Sequence, residues 1–194
     1  MNIGIFSGSF NPIHIGHLIL ANYIVEFTEI DEIWFVVSPQ NPLKKSQDLL
    51  EENVRFHMAQ LALEGYPKMK ACDFEFSLPR PSYTINTLDE FQKSYPQNHF
   101  YLIIGADNWE DFTKWKDHEK ITDSFKIKIY PRSGYRLVIP SKLKYKVEAL
   151  DSPIIDISST FIREGLSESK SMKAFLPESV FEYIEKNNLY KSML

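Results

Sequence analysis

The sequence predicts an α/β protein, a doubly wound parallel sheet with helices on both faces. Three observations carry this. Short apolar runs recur along the chain, segments with helical spacing separate them, and Gly, Pro, Ser and Asp mark many of the boundaries. Strands separated by helices need crossover connections, which lay the strands parallel and put helices on the two faces of the sheet.

Asn2 to Phe6 is a short apolar run that ends in a turn-rich stretch, as a strand buried on both faces would. Gly16 to Phe27 carries Leu18, Ile19, Ala21, Tyr23 and Ile24 without a proline and reads as a helix. Ile33 to Val37 is a second buried strand, stopped by Ser38-Pro39, and a loop from Gln40 to Asp48 follows. Glu51 to Leu63 repeats apolar residues at helical spacing, at Val54, Met58, Leu61 and Ala62, and Gly65 ends it. Lys70 to Phe76 is expected as a strand, and Thr84 to Lys93 as a helix with Ile85, Leu88 and Phe91 on one face. Phe100 to Ile104 is a strong central strand closed by Gly105, and Asp107 to Ile121 holds one or two short helices. Phe125 to Tyr130 is another strand and Pro153 to Ile155 is expected as a last short one. A helix then begins near Ser158, and Pro177 to Lys186 forms the closing helix. The expected organisation is one domain over 1–194, its C-terminal helical part (about 158–194) packed on the rest.

Composition narrows the class without naming a function. The 194 residues are 43% hydrophobic and 25% charged, with 22 Lys+Arg against 26 Asp+Glu, a formal charge of −4. A chain of this length buries roughly 70% of its unfolded surface, enough for one core without a disulfide or structural metal. Collagenous, disordered and disulfide-framed classes are excluded, and without a broad basic field nucleic acid is not an expected partner. Cys72 is the single cysteine, no apolar run reaches the ~20 residues that cross a bilayer, and no basic segment opens a signal peptide. The expectation is a cytoplasmic protein with no membrane partner; whether it is a monomer or a homo-oligomer is left open.

In open α/β sheets ligands bind beyond the carboxyl ends of the strands. There the sequence runs Gly8-Ser9-Phe10-Asn11-Pro12-Ile13-His14-Ile15-Gly16-His17. It is neither of the two familiar glycine-rich phosphate loops. Gly8 with the small Ser7 and Ser9 nonetheless lets backbone N–H groups approach an anion, and Gly16 lies where the next helix offers free amides and its positive dipole end. His14 and His17, three positions apart, can face one ligand and donate to phosphate oxygens that gain charge during transfer. A zinc site is disfavoured, since helix-borne zinc pairs are typically four apart and no Cys or third His lies nearby. Each histidine taken alone would be an ordinary capping or core residue; the pair after a Gly/Ser turn is what points to phosphate chemistry.

The segment from Gly8 to His17 resembles the signature of the H-x-G-H nucleotidyltransferase superfamily, and the chain from Gly4 to about Arg163 is most similar to its bacterial nicotinate-nucleotide adenylyltransferases. The resemblance implies a Rossmann-like sheet of the nucleotidyltransferase type. It implies a reaction of NAD biosynthesis: ATP and nicotinate mononucleotide give nicotinate adenine dinucleotide and pyrophosphate, by direct in-line attack and without a covalent enzyme intermediate. Class I aminoacyl-tRNA synthetases share the motif but are much longer, and Lys170-Ser171-Met172-Lys173 only scrambles their second signature.

By the same resemblance, Ile157-Ser158-Ser159-Thr160-Phe161-Ile162-Arg163 matches the family's I-S-S-T-x-x-R, so Ser158, Ser159, Thr160 and Arg163 would hold ATP phosphates. Three hydroxyl residues at a helix start are also common caps. His14, His17, Lys45 and Arg163 would be catalytic, with Gly8, Ser9, Phe10, Gly105 and Asp107 also on the ATP side. Ser7, Asn11, Lys44, Thr84, Trp115 and Arg132 would serve the mononucleotide, Trp115 as the face on which the pyridine stacks. Lys45 is favoured slightly over Lys44 for reaching the phosphates. Arg55 reads as an exposed charge, although the family has an Arg nearby. Lys116 stands where the family often has a second aromatic, which alters what surrounds the nicotinate carboxylate and offers it a charge. Mg2+ would ride on ATP, without a dedicated metal site. The alternatives are a nicotinamide mononucleotide adenylyltransferase, another H-x-G-H adenylyltransferase, or a nucleotide-binding protein without catalysis. Phosphopantetheine adenylyltransferases typically have Thr at the position of His14, and cytidylyltransferases carry a different second motif.

Overall fold

In the computed structural model, which describes residues 1–39 and 49–191, a six-stranded sheet forms the centre of the molecule. Its strands are β1 (Asn2–Gly8), β2 (Glu32–Val37), β3 (Met69–Cys72), β4 (His99–Gly105), β5 (Lys126–Tyr130) and β6 (Val147–Ala149). The spatial order is β3-β2-β1-β4-β5-β6 and every pairing is parallel. The order reverses between β1 and β4, and it is at such a switch point that the carboxyl ends of neighbouring strands open a crevice.

Helices α1 (Ile15–Phe27), α2 (Glu52–Leu63), α6 (Ser159–Ser167) and α7 (Glu178–Lys186) share one core cluster, while α3 (Thr84–Ser94) and α5 (His118–Ser124) contribute to the other. A short α4 (Ala106–Glu110) follows β4 directly. The side chains of each strand alternate between the clusters. Phe6, Ile33, Phe35, Tyr101 and Ile103 enter the first; Ile3, Ile5, Trp34, Val36, Phe100 and Leu102 enter the second. That period of two, on a sheet covered on both sides, is why these strands read as unbroken apolar runs.

Two expectations are corrected. The strand expected over Lys70–Phe76 stops at Cys72, and Phe74–Ser77 winds into a 3-10 turn that buries Glu75. The last strand is Val147–Ala149, paired with Ile127–Ile129, while Pro153–Ile155 is irregular backbone. Of β6 only Val147 is buried, so it lacks the apolar run that marks the other strands.

Candidate active site

The turn after β1 is held by packing under strain. Phe10 adopts φ 45°, a left-handed backbone that a bulky residue rarely takes. Its buried ring packs against Phe6, Phe35 and His17, with centroids 5.1–5.8 Å apart. The same ring lies where a side chain on Gly8 would go, 3.0 Å from an added Cβ, so the turn admits only glycine there without a shift. Phe10 therefore supports the turn from beneath.

His14 precedes α1 and His17 lies in its first turn. The backbone N–H of His14 donates to His17 Nδ1 at 3.1 Å, and the N–H of His17 donates to the His14 carbonyl at 3.0 Å. The two rings stack with centroids 3.7 Å apart and 29° between planes. Burial, with the Arg132 charge added, lowers the His14 imidazole from 6.5 to about 4. Burial, then His14 and Arg132, pushes His17 well below 6.5 too. Both rings are thus neutral at pH 7. Because Nδ1 of His17 accepts, its proton sits on Nε2, which is left as a donor. His14 Nδ1 is buried without a hydrogen-bond partner.

Arg132 shares a small hollow of about 20 Å³ with His14, Gly16 and His17. Its Nε lies 3.8 Å from an Asp107 carboxylate oxygen, and its guanidinium donates weakly to the Tyr130 hydroxyl at 3.5 Å. Gly105 makes room for this group, since a Cβ there would meet the Asp107 carboxylate and the Tyr130 ring. Arg132, expected on the mononucleotide side, is therefore placed beside the histidines.

The larger cavity, about 320 Å³, is lined by Ser7, Gly8, Ser9, Ser38, Glu75, Tyr83, Thr84, Trp115 and Lys116 among others. It gathers Ser7, Thr84 and Trp115 as expected of a mononucleotide site, but also Gly8 and Ser9, which were expected on the ATP side. Asn11 does not line it: its Oδ1 accepts from the Tyr190 hydroxyl at 2.8 Å and the Leu50 N–H at 3.4 Å. Arg163 donates to the Asn11 carbonyl at 3.0 Å and to Thr160 Oγ1 at 3.4 Å, and Ser159 Oγ donates to the Pro12 carbonyl at 2.9 Å. Ser158 caps α6 through the Phe161 N–H. The second motif thus lies against the first, with Ser159 and Arg163 tying α6 to the turn. Lys44 and Lys45 fall outside the described residues.

Three side chains escaped the sequence reading. Arg55 is fully buried, not an exposed charge. Its guanidinium donates to the carbonyls of Ser9 (2.6 Å), Ser38 (2.8 Å), Pro39 (3.1 Å) and Leu50 (2.7 Å), joining the turn after β1 to the end of β2 and the start of α2. Nothing local marks carbonyls so far apart in sequence as its partners. Glu75 accepts from Ser82 and Thr87, each at 2.9 Å, and the hydroxyls of Ser38 and Ser7 also face it. Burial pushes its carboxyl above the usual range against the pull of those hydroxyls; an acid between Phe74 and Phe76 was the available hint. Lys128, on β5, is buried between Glu29 and Glu148, both at 2.7 Å, and lines neither cavity.

Comparison with known proteins gives the family. The cytidylyltransferase-like family model matches residues 5–165. A probable nicotinate-nucleotide adenylyltransferase of Bacteroides fragilis is 53% identical, covering 93% of this chain and 90% of that protein. Its counterpart in Flavobacterium johnsoniae is 46% identical over 98% of this chain and all of its own length. Among solved structures, Plasmodium falciparum nicotinic acid mononucleotide adenylyltransferase complexed with NaAD superposes with a TM-score of 0.80 over 97% of both chains, at 24% identity, a likeness of fold.

Proposed function

The chain belongs to the cytidylyltransferase-like family, in its nicotinate-nucleotide adenylyltransferase branch, and on that premise we propose that it joins ATP to nicotinate mononucleotide, releasing pyrophosphate and nicotinate adenine dinucleotide. The observation that carries the reading is the neutral, stacked pair His14–His17 beside Arg132, next to a separate cavity lined by Ser7, Thr84 and Trp115.

The mononucleotide phosphate attacks the α-phosphorus of ATP in line, and the bond to the pyrophosphate oxygen breaks. No side chain is adenylylated on the way, so the protein contributes position and charge stabilisation. His17 Nε2–H donates to an oxygen that gains charge in the transition state. A neutral donor fixed by its own Nδ1 contact need not reorganise when the charge develops. Arg132, in the hollow with the two histidines, and Arg163, bonded to the Asn11 carbonyl, supply positive charge. The pyridine rests against Trp115 in the larger cavity, near Thr84.

Among the described residues no three His, Cys, Asp or Glu side chains are gathered to hold a metal ion. An ion arriving with ATP would be carried by phosphate oxygens and water, and no step above is routed through it. Cys72 is a free, half-buried cysteine whose thiol is pushed up to about 11 by burial, and among the described residues no helix is long and apolar enough to cross a membrane.

The test is pyrophosphate release from purified protein. Release that requires ATP and nicotinate mononucleotide together is the expected result. Binding of both without release would leave a nucleotide-binding protein and refute the reading.

A further inference from the structure

The mononucleotide cavity holds charges of both signs, and they are not equally engaged. Its acid, Glu75, is buried and occupied by the hydroxyls of Ser82 and Thr87. Of its two lysines, Lys114 is already paired with Asp111 at 2.5 Å. Lys116 has no acidic partner among the described residues; its ammonium lies 4.5 Å from the centre of the Tyr83 ring. Tyr83, Trp115 and Lys116 all line the same cavity. An aromatic face holds a cation in place without neutralising it, so the charge stays available to a ligand.

Resting on the reading above, we propose that Lys116 is the residue by which this chain prefers a pyridine carboxylate to a pyridine carboxamide. A ring lying on Trp115 has the ammonium of the next residue within its surroundings. A carboxylate there gains a full ion pair, while a carboxamide offers only a dipole. An exposed pair of this kind contributes a modest factor, screened by salt. Discrimination by this residue is therefore a matter of several-fold, set in binding.

The test compares kcat/KM for nicotinate and nicotinamide mononucleotide in the wild type, Lys116→Met and Lys116→Arg. Lys116→Met is expected to lower the nicotinate-to-nicotinamide ratio about fivefold, with the loss in the KM for the nicotinate substrate and kcat held. Lys116→Arg is expected to keep the ratio, and raising salt is expected to shrink the preference of the wild type but not of Lys116→Met. An unchanged ratio in Lys116→Met, or a fall confined to kcat, overturns the assignment. A wild type that releases no pyrophosphate with nicotinate mononucleotide refutes the parent reading instead, so the two failures are distinct.

Discussion

Around His14 and His17 the carboxyl edge of the sheet is closely packed and leaves only a small hollow, whereas the wall formed by Tyr83, Thr84, Lys114, Trp115 and Lys116 stands half-buried or exposed. The first region is tied from several sides. Arg55 reaches it from α2, Ser159 and Arg163 from α6, and Tyr190 from beyond α7. The second rests on one buried anchor, Glu75, behind side chains that meet solvent. The difference fits the function proposed for each. Donors aimed at a transition state work best when they are immobile before the reaction begins, while a wall that admits a second substrate must leave a way in.

If this contrast is right, damage on the packed side should be severe and damage on the open side graded. His17→Ala is expected to cost about 10²–10³ in kcat with the fold intact, since one preorganised donor is lost; circular dichroism and steady-state kinetics together check this, and wild-type turnover would break the comparison. Arg55→Met is expected to destabilise by about 3 kcal/mol, because it leaves the buried carbonyls of Ser9, Ser38, Pro39 and Leu50 without their donor, read from denaturant unfolding. Tyr190→Phe removes one hydrogen bond to Asn11 and should cost about 1 kcal/mol. A larger loss would mean that the C-terminal segment carries more of the clamp than its single contact shows.

The smallest effect is on titration. In the free protein the His14 ring is expected to titrate near pH 4 by NMR, not near 6.5. Below 6.5 the unfolded chain takes up a proton that the folded chain refuses until about pH 4, so stability falls as pH falls through that window. Replacing Arg132 by Met should move the midpoint upward while leaving most of the shift, because burial is the larger cause. A midpoint near 6.5 in the wild type would make the pair cationic at mildly acidic pH and end the case for a neutral donor.

Where residues were legible in the sequence, a local signal marked them. The spacing of His14 and His17 survives folding because both sit at the start of one helix. β1, β2, β4 and β5 announced themselves through burial on both faces. β6 had no such pattern, and only the pairing of Ile127–Ile129 with Val147–Ala149 makes it a strand. Arg132 was expected with the mononucleotide and lies with the histidines because Asp107 and Tyr130 draw it there.

The sequence by itself determined the alternation of strands and helices, the family, and the presence of its two motifs, since each is written in residues close along the chain. Only the tertiary structure decided that Arg55 is a buried tie and not a surface charge, that Glu75 accepts from buried hydroxyls, and that the Lys116 ammonium lies over the Tyr83 ring. The physical reason is the same in all three. What a charged group does depends on which partners surround it once the chain has folded, and here those partners come from several separate segments.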